Sequence, residues 1–162
     1  MTTRTHEWDD PHKTALAARE MSGLDFLQAI AAGDLPRPPI SSTLGFDLLK
    51  VGPGRAKFTL EPGDHQYNPI GSVHGGVMAT LLDSAMGCAV HSTLDQGVAY
   101  TTVDLQVTFV RPITSDTGAV QVEGRVIHAG SRIATAEGRI TDADGRLYAH
   151  GTTTCLVMRG DR

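Results

Sequence analysis

The sequence predicts an α+β domain, with one antiparallel sheet, a single buried helix laid across it, and a short helical N-terminal arm. Three observations carry this. From Leu44 onward the chain is mostly β-type segments separated by turn residues. One central stretch, "VHGGVMATLLDSAMGCAV", is apolar almost all round a helical wheel, which is the pattern of a buried helix. Before Leu44 the residues instead read as helices followed by a proline-rich connector.

The elements follow in order. "PHKTALAARE" and "SGLDFLQAIAAG" each predict a short helix, with Ser22 capping the second and Gly33 ending it. "DLPRPPISS" is expected to run extended, since proline restricts both itself and the residue before it. These pieces make an N-terminal arm and connector over residues 1–43, packed on a main domain over 44–162. "GFDLLKV" and "RAKFTLE" flank "GPG" and predict a hairpin. The central helix is expected from about His74 to Val90, with Ser72 as its N-cap. Four more strands follow: "VAYTTVDLQVTFV", "AVQVEGRVIHA", "RIATAEGRITD" and "RLYAHGTTTCLVM". The intervening "RPITSDTG", "GS" and "ADG" have the chemistry of turns between antiparallel neighbours. In the first of these strands Val103, Leu105, Val107 and Phe109 alternate with Asp104, Gln106 and Thr108. Strict alternation puts Thr102 on the polar face, away from the helix. A sheet with one apolar face needs cover, and only the central segment is long enough to supply it.

Composition narrows the function. With 40% apolar and 20% charged residues, a chain of 162 fits one domain with a real core. A formal charge of −4 and no densely basic stretch argue against nucleic-acid binding. Cys88 and Cys155 form neither a CxxC pair nor a disulfide framework, and Cys88 reads as an inert core thiol. "MTTRTHEWDDPHK" lacks the apolar run of a signal peptide, and no segment is long and apolar enough to span a bilayer. A cytoplasmic protein without membrane association is expected. Seven histidines are scattered with no HxxxH spacing, so no metal is expected.

The chemistry concentrates in "NPIGSVHGGVMATLLDSAMG", Asn68 to Gly87. Asp83 is the one charge in the central helix, and it shares a narrow stripe with Gly76 and Gly87, where a ligand or backbone can approach closely. From these residues alone, a structural hydrogen-bonding Asp83 and a catalytic one are equally compatible. His74 and Asn68 likewise fit ordinary turn chemistry. The specific alternative is acyl transfer to water. A carbonyl oxygen seated on the Gly75 N–H, at the positive end of a helix, is stabilised as it becomes an oxyanion. A carboxylate at the same carbon activates water or attacks directly. Gly75 and Asp83 stand eight residues apart, roughly 12 Å along one helix. One short side chain cannot bridge that gap, but two antiparallel helices across a two-fold axis can. A catalytic site of this kind is therefore shared between protomers.

The spacing N-x-x-G-x-x-H-G-G-x-x-x-x-x-x-D, with its strand–helix–strand setting, closely resembles the hotdog-fold acyl-CoA thioesterases. The likeness is to the PaaI-like branch linked to phenylacetate and hydroxybenzoate metabolism, and it covers about Leu44 to Met158. The resemblance implies a sheet wrapped around the central helix and an acyl-CoA substrate with no separate cofactor, coenzyme A being part of the substrate. It implies a homodimer, arranged as a dimer of dimers. It assigns Asp83 as general base or nucleophile and the Gly75 N–H as oxyanion donor. His74 would support that turn, and Asn68 would hold the thioester or water. Thr102, with Thr101 as fallback, would orient the water from a protomer boundary. Gly76 would allow close approach, and Arg111, Arg132 and the backbone at Gly130 and Ser131 would meet the coenzyme A phosphates. Either arginine alone equally fits a solvated surface residue. The arm carries none of these residues and is expected to be dispensable for chemistry. A hotdog acyl-thioester dehydratase and a non-catalytic acyl-CoA sensor are the competing functions. Medium-chain and aryl-acetyl groups both stay open.

Overall fold

The structure is a computed structural model, and it describes residues 1–159. The expected helices α1 at Pro11–Glu20 and α2 at Gly23–Ala32 are present, followed by an additional short helix, α3, at Pro39–Leu44. These precede β1 at Phe46–Gly52, β2 at Arg55–Leu60 and α4 at Gly75–His91. The chain then forms β3 at Ala99–Phe109, β4 at Val120–Ala129, β5 at Ile133–Thr141 and β6 at Leu147–Met158. Among the described residues no helix is long and apolar enough to cross a membrane.

The arm follows its capping chemistry. Ser22 accepts the Asp25 N–H at the start of α2, and Gly33 ends that helix in the left-handed region. The connector departs from expectation. Pro38 is extended, but Pro39 starts α3, since proline at a first helical position gives up only an N–H that has no partner anyway.

The sheet has six strands in the order β1-β2-β4-β5-β6-β3, every pairing antiparallel. The "RPITSDTG" segment therefore does not join neighbours, as its turn chemistry suggested. It crosses the sheet from β3, at one edge, to β4 in the interior. α4 lies over β2, β4 and β5 and reaches β3 and β6. Leu81, Leu82, Ala85, Met86 and Ala89 are wholly buried there against Leu60, Val120, Val122 and Ile140. Each such large side chain contributes about 1.5–3 kcal/mol by leaving water. The helix can approach this closely because Gly124 sits under it, where an added Cβ would lie 2.2 Å from the Ala85 carbonyl oxygen. Gly124 pairs with Gly138, and Gly138 with Gly151, so small residues form a row across the strands beneath the helix.

β3 carries an irregularity that matters for the site. Thr102 pairs with Cys155 and Asp104 with Thr154, so Val103 is an extra, bulged residue. The bulge is anchored by Thr153, 2% exposed, whose hydroxyl donates to the Asp104 carbonyl at 2.8 Å. Inserting one residue reverses the alternation. Leu105 and Val107 face the helix as expected, while Val103 is left 55% exposed. Thr102, expected to face away, points inward.

Candidate active site

The loop before α4 is built by Asn68 and His74. The Asn68 side-chain oxygen accepts the N–H groups of Ile70 and Ser72 at 3.0 and 3.2 Å, and its amide donates to the Ser72 hydroxyl at 3.1 Å. Ser72 is thus held in the loop and is not the N-cap. That role belongs to His74, whose Nδ1 accepts the Gly76 N–H at 2.9 Å. His74 also ties the turn to the preceding segment, its N–H donating to the Gln66 carbonyl at 2.8 Å. This arrangement leaves the Gly75 N–H as a helix-start donor with no partner among the described residues. The Gly76 N–H, in contrast, is committed to His74.

Asp83 stands two turns further along α4 and is half-buried. Its Oδ1 accepts the Thr102 hydroxyl at 2.9 Å, and Oδ2 is without a partner among the described residues. This contact is within one chain, which the bulge at Val103 makes possible. Thr102 therefore orients the carboxylate of its own helix and does not need a protomer boundary. Thr101 pairs with Leu156 on the exposed outer face and is removed from consideration.

Asp83 and Thr102 lie on the wall of a cavity of 230 Å³. The rest of that wall is largely apolar and includes Phe46 and Phe58 from the hairpin and Leu27, Ile30 and Ile40 from the arm. The arm, expected to pack on the main domain and to be dispensable for chemistry, forms one side of the cavity. Sequence reasoning missed these residues, although Leu27 and Ile30 share the apolar face of α2 and so signalled that it docks. The Cys88 thiol beside Asp83 is pushed up to about 12, first by burial and then by the Asp83 charge, so it stays protonated at neutral pH. Burial also raises Tyr100 well above its usual range, the neighbouring thiols and Asp83 adding to the effect.

The residues expected at the coenzyme A phosphates are spread over the sheet. Arg111 follows β3 at its far end, where its guanidinium donates to the Leu147 carbonyl at 2.5 Å. Gly130, Ser131 and Arg132 form the β4–β5 turn, level with the start of β3. There the Gly130 N–H donates to the Ile133 carbonyl at 3.0 Å, and Arg132 is exposed. Within one chain Arg111 lies at the Gly75 end and Arg132 at the Asp83 end, so the two are not brought together.

Comparison with known proteins agrees with this architecture. Residues 70–149 match the family model of the thioesterase superfamily. A solved structure of a thioesterase superfamily protein is 32% identical, covers 85% of this chain and 98% of its own, and superposes with a TM-score of 0.68. A phenylacetic acid degradation-related protein from Ralstonia eutropha gives a TM-score of 0.72 at 28% identity, covering 80% of this chain and 98% of that one. Human acyl-coenzyme A thioesterase 13 is 29% identical over 108 residues, 66% of this chain and 76% of that protein. A Halobacterium salinarum protein named for esterase activity is 44% identical over 69 residues, and this match spans only 44% of that protein. The chain belongs to the thioesterase superfamily and is a hotdog-fold thioester hydrolase.

Proposed function

We propose that the chain hydrolyses the thioester of an acyl-coenzyme A at a site shared by two copies. The observation that carries this reading is Asp83 on the wall of a largely apolar cavity, one oxygen held by Thr102 and the other free. Human acyl-coenzyme A thioesterase 13 supports the substrate class.

In the proposed reaction the free Asp83 oxygen takes a proton from water as the water oxygen bonds to the thioester carbon. The carbonyl oxygen becomes an oxyanion on the Gly75 N–H of the other copy. Its collapse breaks the C–S bond, and the proton on Asp83 goes to the departing thiolate, giving free acid and coenzyme A. Direct attack by the same oxygen would instead give a mixed anhydride. Single turnover in ¹⁸O water separates the two, since only the anhydride path labels the Asp83 carboxyl.

Two features support the second copy. β3 is an edge strand of 11 residues with Val103 and Phe109 about half exposed, an edge open to pairing. Beside it α4 presents a stripe of Gly76, Ala79, Thr80 and Asp83 that a single chain leaves only partly covered. Ala79 lies midway between Gly75 and Asp83. A two-fold axis there would set each Gly75 opposite the partner copy's carboxylate.

A dehydratase fits less well, because within one chain no histidine among the described residues lines the cavity around Asp83, and His74 has its Nδ1 committed to the Gly76 N–H. Thiol release from a panel of acyl-CoAs tests the reading. We expect turnover in the intact chain and a loss of about 10²–10⁴-fold in kcat for Asp83→Asn, which keeps the acceptor for Thr102. A folded wild-type chain that binds acyl-CoA without releasing thiol would make it a sensor.

A further inference from the structure

We propose that the N-terminal arm is the specificity wall of the acyl pocket. The pocket would take a compact apolar acyl group and exclude long chains. The inference rests on the reading of Asp83 as the thioester site. It goes beyond the family match, since the arm lies wholly outside residues 70–149.

The arm is fixed in place at both ends. At the start of α2 the Gly23 N–H donates to the Leu94 carbonyl at 3.0 Å. The approach is so close that a Cβ on Gly23 would fall 1.8 Å from the His91 carbonyl oxygen. Phe26 packs on the His91 ring with centroids 5.6 Å apart. Beyond α2, Arg37 forms an ion pair with Asp47 of β1. Phe26, Leu27 and Ile30 are at most 8% exposed and belong to the same core as α4 and the sheet. Burial of these three supplies what an isolated ten-residue helix lacks.

A docked arm closes the cavity opposite α4. The wall on the α4 side runs from Asp83 to Cys88, about 7.5 Å along the helix axis. With the thioester carbon held at Asp83, the acyl group has this space to enter. The cavity of 230 Å³ therefore has a short apolar floor, bounded by the arm on the other side. A phenylacetyl or octanoyl group matches that, and a sixteen-carbon chain does not. Ile30, at the buried side, and Ile40, 45% exposed on α3, are the arm residues that set the length.

The test uses the full chain with acetyl-, hexanoyl-, octanoyl-, phenylacetyl- and palmitoyl-CoA. For the wild type kcat/KM should peak at octanoyl or phenylacetyl, whichever shape the pocket prefers, and fall at least tenfold at palmitoyl. Ile30→Ala and Ile40→Ala should raise the palmitoyl-to-octanoyl ratio about tenfold, the scale of a change in methylene fit. Ile40→Trp should move the optimum to hexanoyl. Ile40 is exposed enough that its variants should fold, and melting curves check the Ile30 variant. Folded variants that keep the wild-type ratio, or a wild type best on palmitoyl-CoA, would overturn the proposal. Calorimetry with non-hydrolysable thioether analogues separates it from the hydrolase reading. Length-dependent binding that shifts in the Ile30 and Ile40 variants upholds the pocket even where no thiol is released. Binding indifferent to length overturns the pocket even where hydrolysis is fast.

Discussion

Removing the Gly75 N–H without disturbing the helix is the most direct test of the oxyanion site. Proline at position 75 does this. Gly75 is the first residue of α4, where proline's fixed φ suits the helix and its missing N–H breaks no intrahelical bond. His74 already has the extended backbone that precedes proline, with φ −61° and ψ 136°. Its Nδ1 contact with the Gly76 N–H is untouched by the change. The added carbon has one cost, because a Cβ at position 75 would stand 3.1 Å from the Phe109 ring. Gly75→Ala carries the same Cβ and keeps the N–H, so the ratio of the two variants reads the loss of the donor together with the proline Cδ that takes its place. Loss of one oxyanion donor is worth about 10²–10³ in kcat. We therefore expect Gly75→Pro to turn over at least about 100-fold more slowly than Gly75→Ala, with melting temperatures within a few degrees of each other. Steady-state thiol release and circular dichroism melts supply both readings. Equal rates for the two folded variants would refute Gly75 as the donor.

Other outcomes follow from the same geometry. Thr102→Val keeps shape but frees Asp83; a hydrogen bond to a charged group is worth roughly 1.5–3 kcal/mol, so kcat should drop about tenfold or more, and an unchanged kcat would mean Asp83 needs no such support. Thr153→Val removes the anchor of the β3 bulge and should lower kcat through Thr102, an effect that should vanish in the Thr102→Val background if the path is right. Mixing Gly75→Pro chains with Asp83→Asn chains should recover activity in heterodimers, since one of the two interface sites would then be intact; dead heterodimers would place the chemistry within one chain. His91 has its value lowered by burial, so the unfolded chain binds its proton more readily than the folded one. Stability should then be full above the ordinary 6.5 and fall as pH drops below it, until the lowered folded value is passed. Melting curves in that window should show a smaller loss in His91→Gln than in wild type, the remainder coming from His65, which burial lowers in the same direction; identical slopes would count against it.

Much of this arrangement is legible in the sequence because it depends on local chemistry. Capping by Ser22, the turn glycines, the apolar surround of α4 and the spacing of Asn68, His74, Gly75 and Asp83 all act over a few residues. The sheet order is not local, and "RPITSDTG" has the composition of a tight turn while serving as a crossover. Ser72 illustrates a competition that composition alone leaves undecided: it and His74 are both able to cap α4, and Asn68 takes Ser72 first.

Thr102 shows most clearly why the rest was hidden. Its orientation depends on whether β3 holds a bulge, and the period of two along the strand gives no sign of one. The cause lies on another strand, in the buried Thr153 hydroxyl that accepts the distorted geometry by bonding the Asp104 carbonyl. That one inserted residue converts Thr102 from a surface threonine into the group that fixes Asp83. It also exposes Val103 along the free β3 edge. The same irregularity thus aims the carboxylate and opens the edge on which a second copy would bring its Gly75 N–H. The two roles can nevertheless be altered separately, because the pairs on either side of Val103 already follow one another in register. Deleting Val103 should remove the bulge while Thr102 stays paired with Cys155 and Asp104 with Thr154, so Thr102 keeps facing Asp83. Association should weaken while the activity of each assembled dimer is retained, and a deletion that abolishes activity in an intact dimer would refute this reading.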